Sequence, residues 1–123
     1  MKNYQIEKIA EDILLKRAKR RKTIFYSQLA REINAAAGKK VIPERGIAMA
    51  SVLTEILHSI CSRHVKNGRA MPGALVVSKK TGIPSDGFFR FASQLYNIKL
   101  ESSEERKRFW KDQLEKLFTE AKD

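Results

Sequence analysis

The chain has 123 residues, a single cysteine, a formal net charge of +11 and a pI near 10.0. That length suits one domain with its own core, the lone Cys61 excludes an intramolecular disulfide framework, and no apolar run approaches the ~20 residues that span a bilayer. The charge excess favours polyanionic partners, and it is unevenly spread: Glu101–Asp123 holds six basic and seven acidic residues, which leaves +12 on the first 100. The chain therefore reads as a basic part, 1–100, with a charge-balanced C-terminal helix, 101–123, packed on it in a single domain. One cysteine fits a reducing, cytoplasmic setting, and the first residues carry acid and lack the apolar core of a secretory signal.

The spacing of Ile6, Ile9, Ala10, Ile13 and Leu14 predicts a first helix over about Asn3–Lys19. Its end is basic, with six cations among the seven residues Lys16 to Lys22, which suits a helix C-terminus and equally suits phosphate contact. Thr23-Ile24-Phe25-Tyr26 is short and β-prone. Ser27 is then expected to cap a second helix that buries Leu29, Ala30, Ile33 and Ala37 and stops at Gly38. Lys39 to Pro43 reads as a linker.

A third helix is expected from about Glu44 to Lys66, with Ala50, Leu53, Ile56, Leu57, Ile60, Cys61 and His64 on one face and Asn67-Gly68 as its stop. The segment Gly68–Phe89 then gathers four of the six glycines and two of the three prolines, so the backbone must do something specific there. Ala74–Ser78 is the strand candidate, Lys79–Gly82 a turn, and Ile83–Phe89 either a returning strand or an irregular loop. Ser85 or Asp86 starts a short helix running to about Tyr96, with Phe88, Phe91, Ala92, Leu95 and Tyr96 on one face. In the last helix, Ser102 and Glu105 have capping-box spacing, followed by the stripe Phe109, Trp110, Gln113, Leu114, Leu117 and Phe118.

Catalytic signatures are sparse. The chain has neither a phosphate-binding Gly-x-x-x-x-Gly-Lys-Ser/Thr loop nor a Gly-x-Ser-x-Gly elbow. His58, Cys61 and His64 are three apart, a spacing that drifts around a helix by about 60° per step, so they make a poor ligand set, and no metal or other cofactor is expected. Cys61 with His64 as its base is geometrically possible, but the cysteine lies on an apolar stripe, where a thiol is usually inert. Nothing assembles a nucleophile, a base and an orienting group, so no enzymatic activity is expected.

The order of parts is that of a winged helix-turn-helix. The expected class is thus mainly α with a short β-ribbon, winged-helix-like, plus a C-terminal amphipathic helix. Ile24-Phe25-Tyr26-Ser27-Gln28-Leu29-Ala30-Arg31-Glu32-Ile33 resembles the Thr-x-Tyr-Gly-x-Leu-Ala-x-x-Ile/Leu-Gly entry of the alkylguanine-DNA alkyltransferases and alkyltransferase-like proteins. Met71-Pro72-Gly73-Ala74-Leu75-Val76-Val77 stands where that family has Ile-Pro-Cys-His-Arg-Val-Val. Thr81–Phe88 is similar to its following Gly-rich turn. The resemblance covers about Ile6 to Phe89 and implies a winged-helix DNA-binding fold, with Tyr26 at the position that lies beside a flipped nucleotide and its phosphate. The chain departs from the family at the alkyl-accepting cysteine, which is Gly73 here, and at the neighbouring His and Arg, which are Ala74 and Leu75. Alkyltransferase-like proteins also lack the cysteine but keep the His-Arg pair, so the resemblance implies binding without methyl transfer. The pattern Leu-Val-Val…Thr-Gly-x-Pro-x-x-Gly-Phe is also similar to small proteins of bacterial mobile elements.

Two functions are compatible with these features. The first is non-enzymatic binding of nucleic acid, duplex DNA ahead of RNA, mainly through phosphates and shape; phosphates alone do not distinguish the two. Phosphate contacts are expected from Arg17, Arg20, Arg21, Lys39 and Lys40, groove contacts from Arg45, Arg63, Lys66 and Arg69, and wing-tip contacts from Lys79 and Lys80, with Tyr26 added by the resemblance. The middle of the third helix offers few cations, which argues against base-specific reading. The alternative is a small basic interaction module that docks on an acidic protein, with Phe88, Phe89, Arg90 and Phe91 as anchors. Two of these phenylalanines belonging to the core is the competing reading. No membrane partner is expected.

Overall fold

The computed structural model describes residues 3–122. Five α-helices lie among them: α1 (Asn3–Lys19), α2 (Tyr26–Ala37), α3 (Gly46–Lys66), α4 (Asp86–Tyr96) and α5 (Ser103–Glu120). Two strands of two residues each, β1 (Ile24–Phe25) and β2 (Val76–Val77), pair in parallel with Ile24 opposite Val76 and Phe25 opposite Val77. A parallel pair needs a long crossover, and α2 and α3 supply it. The described residues contain no helix long and apolar enough to cross a membrane.

α1 has the expected bounds and buries Ile6, Ala10, Leu14 and Ala18. Two residues past its end comes Arg21, whose φ of 55° is left-handed, a conformation that costs a non-glycine residue roughly 1–2 kcal/mol. Contacts to α5 offset that cost: the Arg21 guanidinium donates to Glu115 at 3.0 Å and lies 4.6 Å above the Phe118 ring. α2 begins one residue earlier than Ser27. Phe25 is its N-cap and no side chain caps it, so the expected Ser27 cap does not form. Gly38, at φ 75°, ends it as expected.

The turn into α3 is built around Asn34, a buried polar side chain on α2. Its Oδ1 accepts from Val41 N at 2.8 Å and from Ile42 N at 3.0 Å, while its Nδ2 donates to Ile42 O at 2.9 Å and to Glu44 at 2.8 Å. Each bond satisfies a group that would otherwise be stranded in or near the core. The linker is therefore fixed in place, and α3 starts at Gly46, two residues later than expected. Ala50, expected on the buried face, is exposed, whereas Leu53, Leu57, Ile60 and Cys61 are buried.

The Gly/Pro-rich stretch is mostly interior. Every residue from Ala70 to Val77 is buried. Pro72–Leu75 forms a 3-10 turn, and only Val76 and Val77 are strand. The ribbon expected here is thus replaced by the parallel pairing with β1, and Ile83–Phe89 does not return as a strand. What projects is the tight Ser78–Ile83 turn, closed by Gly82 N donating to Ser78 O at 2.8 Å and Ser78 N to Ile83 O at 2.9 Å. α5 supplies the polar partners that let the backbone of this stretch be buried. Gln113 accepts from Met71 N at 2.8 Å, Trp110 Nε1 donates to Ala74 O at 2.8 Å, and Glu120 accepts from Ala70 N at 3.0 Å. The Ser102–Glu105 capping box that starts α5 is present.

Candidate nucleic-acid interface

The residues expected to bind separate by whether the fold gives them an acid. Arg17 donates to Glu32 on α2 at 3.0 Å and to Thr23 O at 3.1 Å. Arg21 is held by Glu115 and Phe118, as above. Arg63 sits between Glu7 and Glu11 of α1, 3.4 Å from each. These three arginines hold helices together. In contrast, Arg20, Lys39, Lys40, Arg45, Lys66, Arg69, Lys79 and Lys80 are exposed, and none makes an ion pair among the described residues. Lys79 lies 5.6 Å above the Phe25 ring, at the tip of the Ser78–Ile83 turn.

Lys39, Lys40 and Arg45 occupy the linker that Asn34 fixes. Glu44, the one acid among them, is turned inward to Asn34. Arg45 is the N-cap of α3, no side chain caps the helix, and its first turn carries no acid. Sequence reasoning missed Asn34 altogether. An asparagine amid Ala35, Ala36 and Ala37, a few residues before a helix-ending Gly38, was the available signal.

Tyr26 is half-buried and engaged within the body. Its hydroxyl accepts from Ser85 N and donates to Ser85 Oγ, both at 3.1 Å, which ties the start of α2 to the start of α4. Tyr26, Ser85 and Gly73, far apart in the sequence, line one narrow cleft with His58, Cys61 and Phe91. The cleft holds about 20 Å³, room for about one water and no more. His58 and Phe91 stack across it with ring centroids 3.8 Å apart and planes within 5°. Gly73 N donates to Cys61 Sγ at 3.3 Å, and a methyl group added at Gly73 would come within 3.0 Å of that sulfur. Cys61 thus occupies the space into which a side chain at position 73 would point.

The chemistry of this cleft is muted. Burial pushes the Cys61 thiol up to about 12 despite the Gly73 N–H, which opposes the rise. Such a thiol has almost no nucleophilic thiolate near neutral pH. Burial also lowers the pKa of His58, with a hydrogen bond to the Gly87 backbone acting the other way. His64 turns from the cleft toward α1, its Nε2 2.6 Å from Glu11 and its buried Nδ1 without a partner. Burial raises the pKa of Glu11, but the hydrogen bond from His64 and the charges of Arg63 and His64 outweigh it, and the net shift is downward. His58, Cys61 and His64 therefore have three different sets of partners, and among the described residues no three His, Cys, Asp or Glu side chains gather as metal ligands.

Phe88 and Phe89, offered above as interface anchors, are 7% and 1% exposed and belong to the core. Phe91 is half-buried against His58. Of that group only Arg90 is exposed, and it pairs with Asp86 at 2.8 Å. When the chain is compared with protein families, curated proteins and solved structures, none of them matches it.

Proposed function

We propose that this chain is a non-enzymatic, cytoplasmic DNA-binding protein that holds duplex mainly through its phosphates and shape. α2, the Asn34-fixed linker and α3 act as the helix-turn-helix, and the Ser78–Ile83 turn, with Lys79 and Lys80 at its tip, acts as a much-reduced wing. The observation that carries the reading is that eight of the twelve residues expected to bind are exposed cations without acidic partners, three of them on the fixed linker at the start of α3. The meeting of Tyr26, Gly73 and Ser85 at one cleft supports the likeness to the alkyltransferase winged helix. The filled cleft and the inert thiol support binding without alkyl transfer. The burial of Phe88 and Phe89 removes the anchors on which a protein-docking module would have relied.

Fluorescence anisotropy with a labelled duplex tests the reading. Neutralising six to eight phosphates gives a log–log salt slope of about −5 to −7 on B-DNA. Salt-independent affinity, or no binding to duplex at ~50 mM salt, refutes it. RNA and single-stranded DNA in the same titration establish which polyanion is preferred.

A further inference from the structure

Ile47 is 89% exposed, the highest value among the exposed large apolar side chains, with Tyr4 next at 66%. Its position explains the exposure. α1 and α3 run side by side in the same direction: Glu7 accepts from Ser59 and Arg63, and Glu11 contacts Arg63 and His64. Farther back, Asn3 and Ile6 share a groove with Val52, Glu55 and Ile56. α1 therefore begins level with about the second turn of α3, and the residues from Gly46 to Ser51 extend past it by roughly 8 Å at 1.5 Å per residue. In that projecting end Gly46, Ile47, Ala48, Ala50 and Ser51 are all exposed, and only Met49 turns toward the core.

The projecting end is slim, with one bulky apolar side chain among small ones. The linker that leads into it carries Lys39, Lys40 and Arg45, with Glu44 turned inward and Glu55 the first acid along the helix. We infer that Ile47 is an intercalating wedge, which enters between stacked base pairs of a duplex while the linker cations hold the flanking phosphates. Isoleucine is one of the apolar residues that proteins insert between base steps, and such insertion partly unstacks the step and kinks the duplex by about 20–90°. The charge favours this partner over an apolar protein groove, because the unpaired cations leading into the helix are costly to bury against anything but an anion. The inference holds only if the proposed binding of duplex DNA does.

The test uses the full chain and a duplex of about 20 base pairs rich in flexible TA steps, with 2-aminopurine at several of them and donor and acceptor dyes at its ends. Unstacking raises 2-aminopurine fluorescence, and kinking raises energy transfer. The native chain is expected to do both. Ile47→Ala is expected to abolish both signals and weaken binding about tenfold, with the salt slope unchanged because every cation remains. Ile47→Met is expected to retain both signals. Native binding without a fluorescence change, or Ile47→Ala behaving as the native chain does, overturns the wedge and leaves the DNA-binding proposal standing. Failure of the native chain to bind duplex overturns both. Loss of a stoichiometric protein partner by Ile47→Ala, with duplex unstacking intact, also overturns the wedge and assigns Ile47 to that protein.

Discussion

The two ends of α3 each carry an exposed arginine, Arg45 and Arg63, and do opposite things. Toward the C-terminus, Ser59, Arg63 and His64 are bonded to Glu7 and Glu11 of α1, and Cys61 packs on Gly73. Toward the N-terminus, Arg45 and Ile47 are exposed, Arg45 makes no ion pair among the described residues, and its neighbour Glu44 is turned inward to Asn34. A cation's availability depends on whether packing brings an acid within reach, not on the cation itself. Arg63 and Arg45 look alike in the sequence, yet one ties helices together and the other is open to a ligand. A helix anchored at one end and free at the other can present side chains to a partner without loosening the core.

The largest effect on this contrast is expected from Asn34→Ala, which leaves two backbone N–H groups and a buried carbonyl without partners. At ~1–3 kcal/mol per stranded group, it should lower stability by about 3 kcal/mol in urea unfolding, and the loosened linker should also weaken duplex binding. A loss below ~1 kcal/mol would mean that the linker does not need this asparagine. Gly73→Ala tests the anchored end. Its new methyl group meets Cys61 Sγ at 3.0 Å, and overpacking of that kind costs ~1–3 kcal/mol. Combining it with Cys61→Ala should cost less than the sum of the two, and simple additivity would show that the sulfur is not the obstacle.

The electrostatic contrast is tested by paired substitutions. Lys39→Ala, Lys40→Ala and Arg45→Ala together should make the salt slope shallower by about 2–3, with little change in stability. Arg63→Ala should leave the slope nearly unchanged and cost no more than ~1 kcal/mol of stability, as expected of half-exposed ion pairs. Equal effects on the slope from the two sets would erase the distinction drawn between the ends of α3.

The smallest effects concern pH. Folding lowers the pKa of His58 from its ordinary 6.5, chiefly by burial, so the unfolded chain takes up that proton first. The His58 contribution is full above about pH 6.5 and is lost as the pH falls through the folded value. Glu11, also lowered on folding from an ordinary 4.5, contributes above that value and loses its contribution as the pH drops further. The thermal midpoint should therefore fall on acidification, with His58→Phe removing the earlier decline and Glu11→Gln the later one. A midpoint that rises between pH 7 and 5 contradicts the His58 assignment, and one that rises as the pH drops below 4.5 contradicts that of Glu11.

Much of the local structure was legible. The apolar period placed α1 at Asn3–Lys19, and Ser102 with Glu105 placed the start of α5, because a helix and its cap are set by residues three or four apart. The Gly/Pro-rich stretch was misread as a surface ribbon. Its burial depends on Trp110, Gln113 and Glu120, roughly 36–50 positions later, which supply hydrogen-bond partners to its backbone. The candidate site was legible as a list of cations but not as a surface, since nothing near Arg17 in the sequence announces Glu32, and nothing near Arg21 announces Glu115.

The sequence by itself determined a basic, mainly helical chain and where most of its helices start and stop, because composition and short-range periodicity act over a few residues. Only the tertiary structure decided that Ile24–Phe25 pairs in parallel with Val76–Val77, that Asn34 fixes the turn before α3, that Cys61 fills the space beside Gly73, and which cations remain without acids. All four depend on groups brought together from distant parts of the chain. Such contacts form only when burial and hydrogen bonding together repay the ordering of the chain between them.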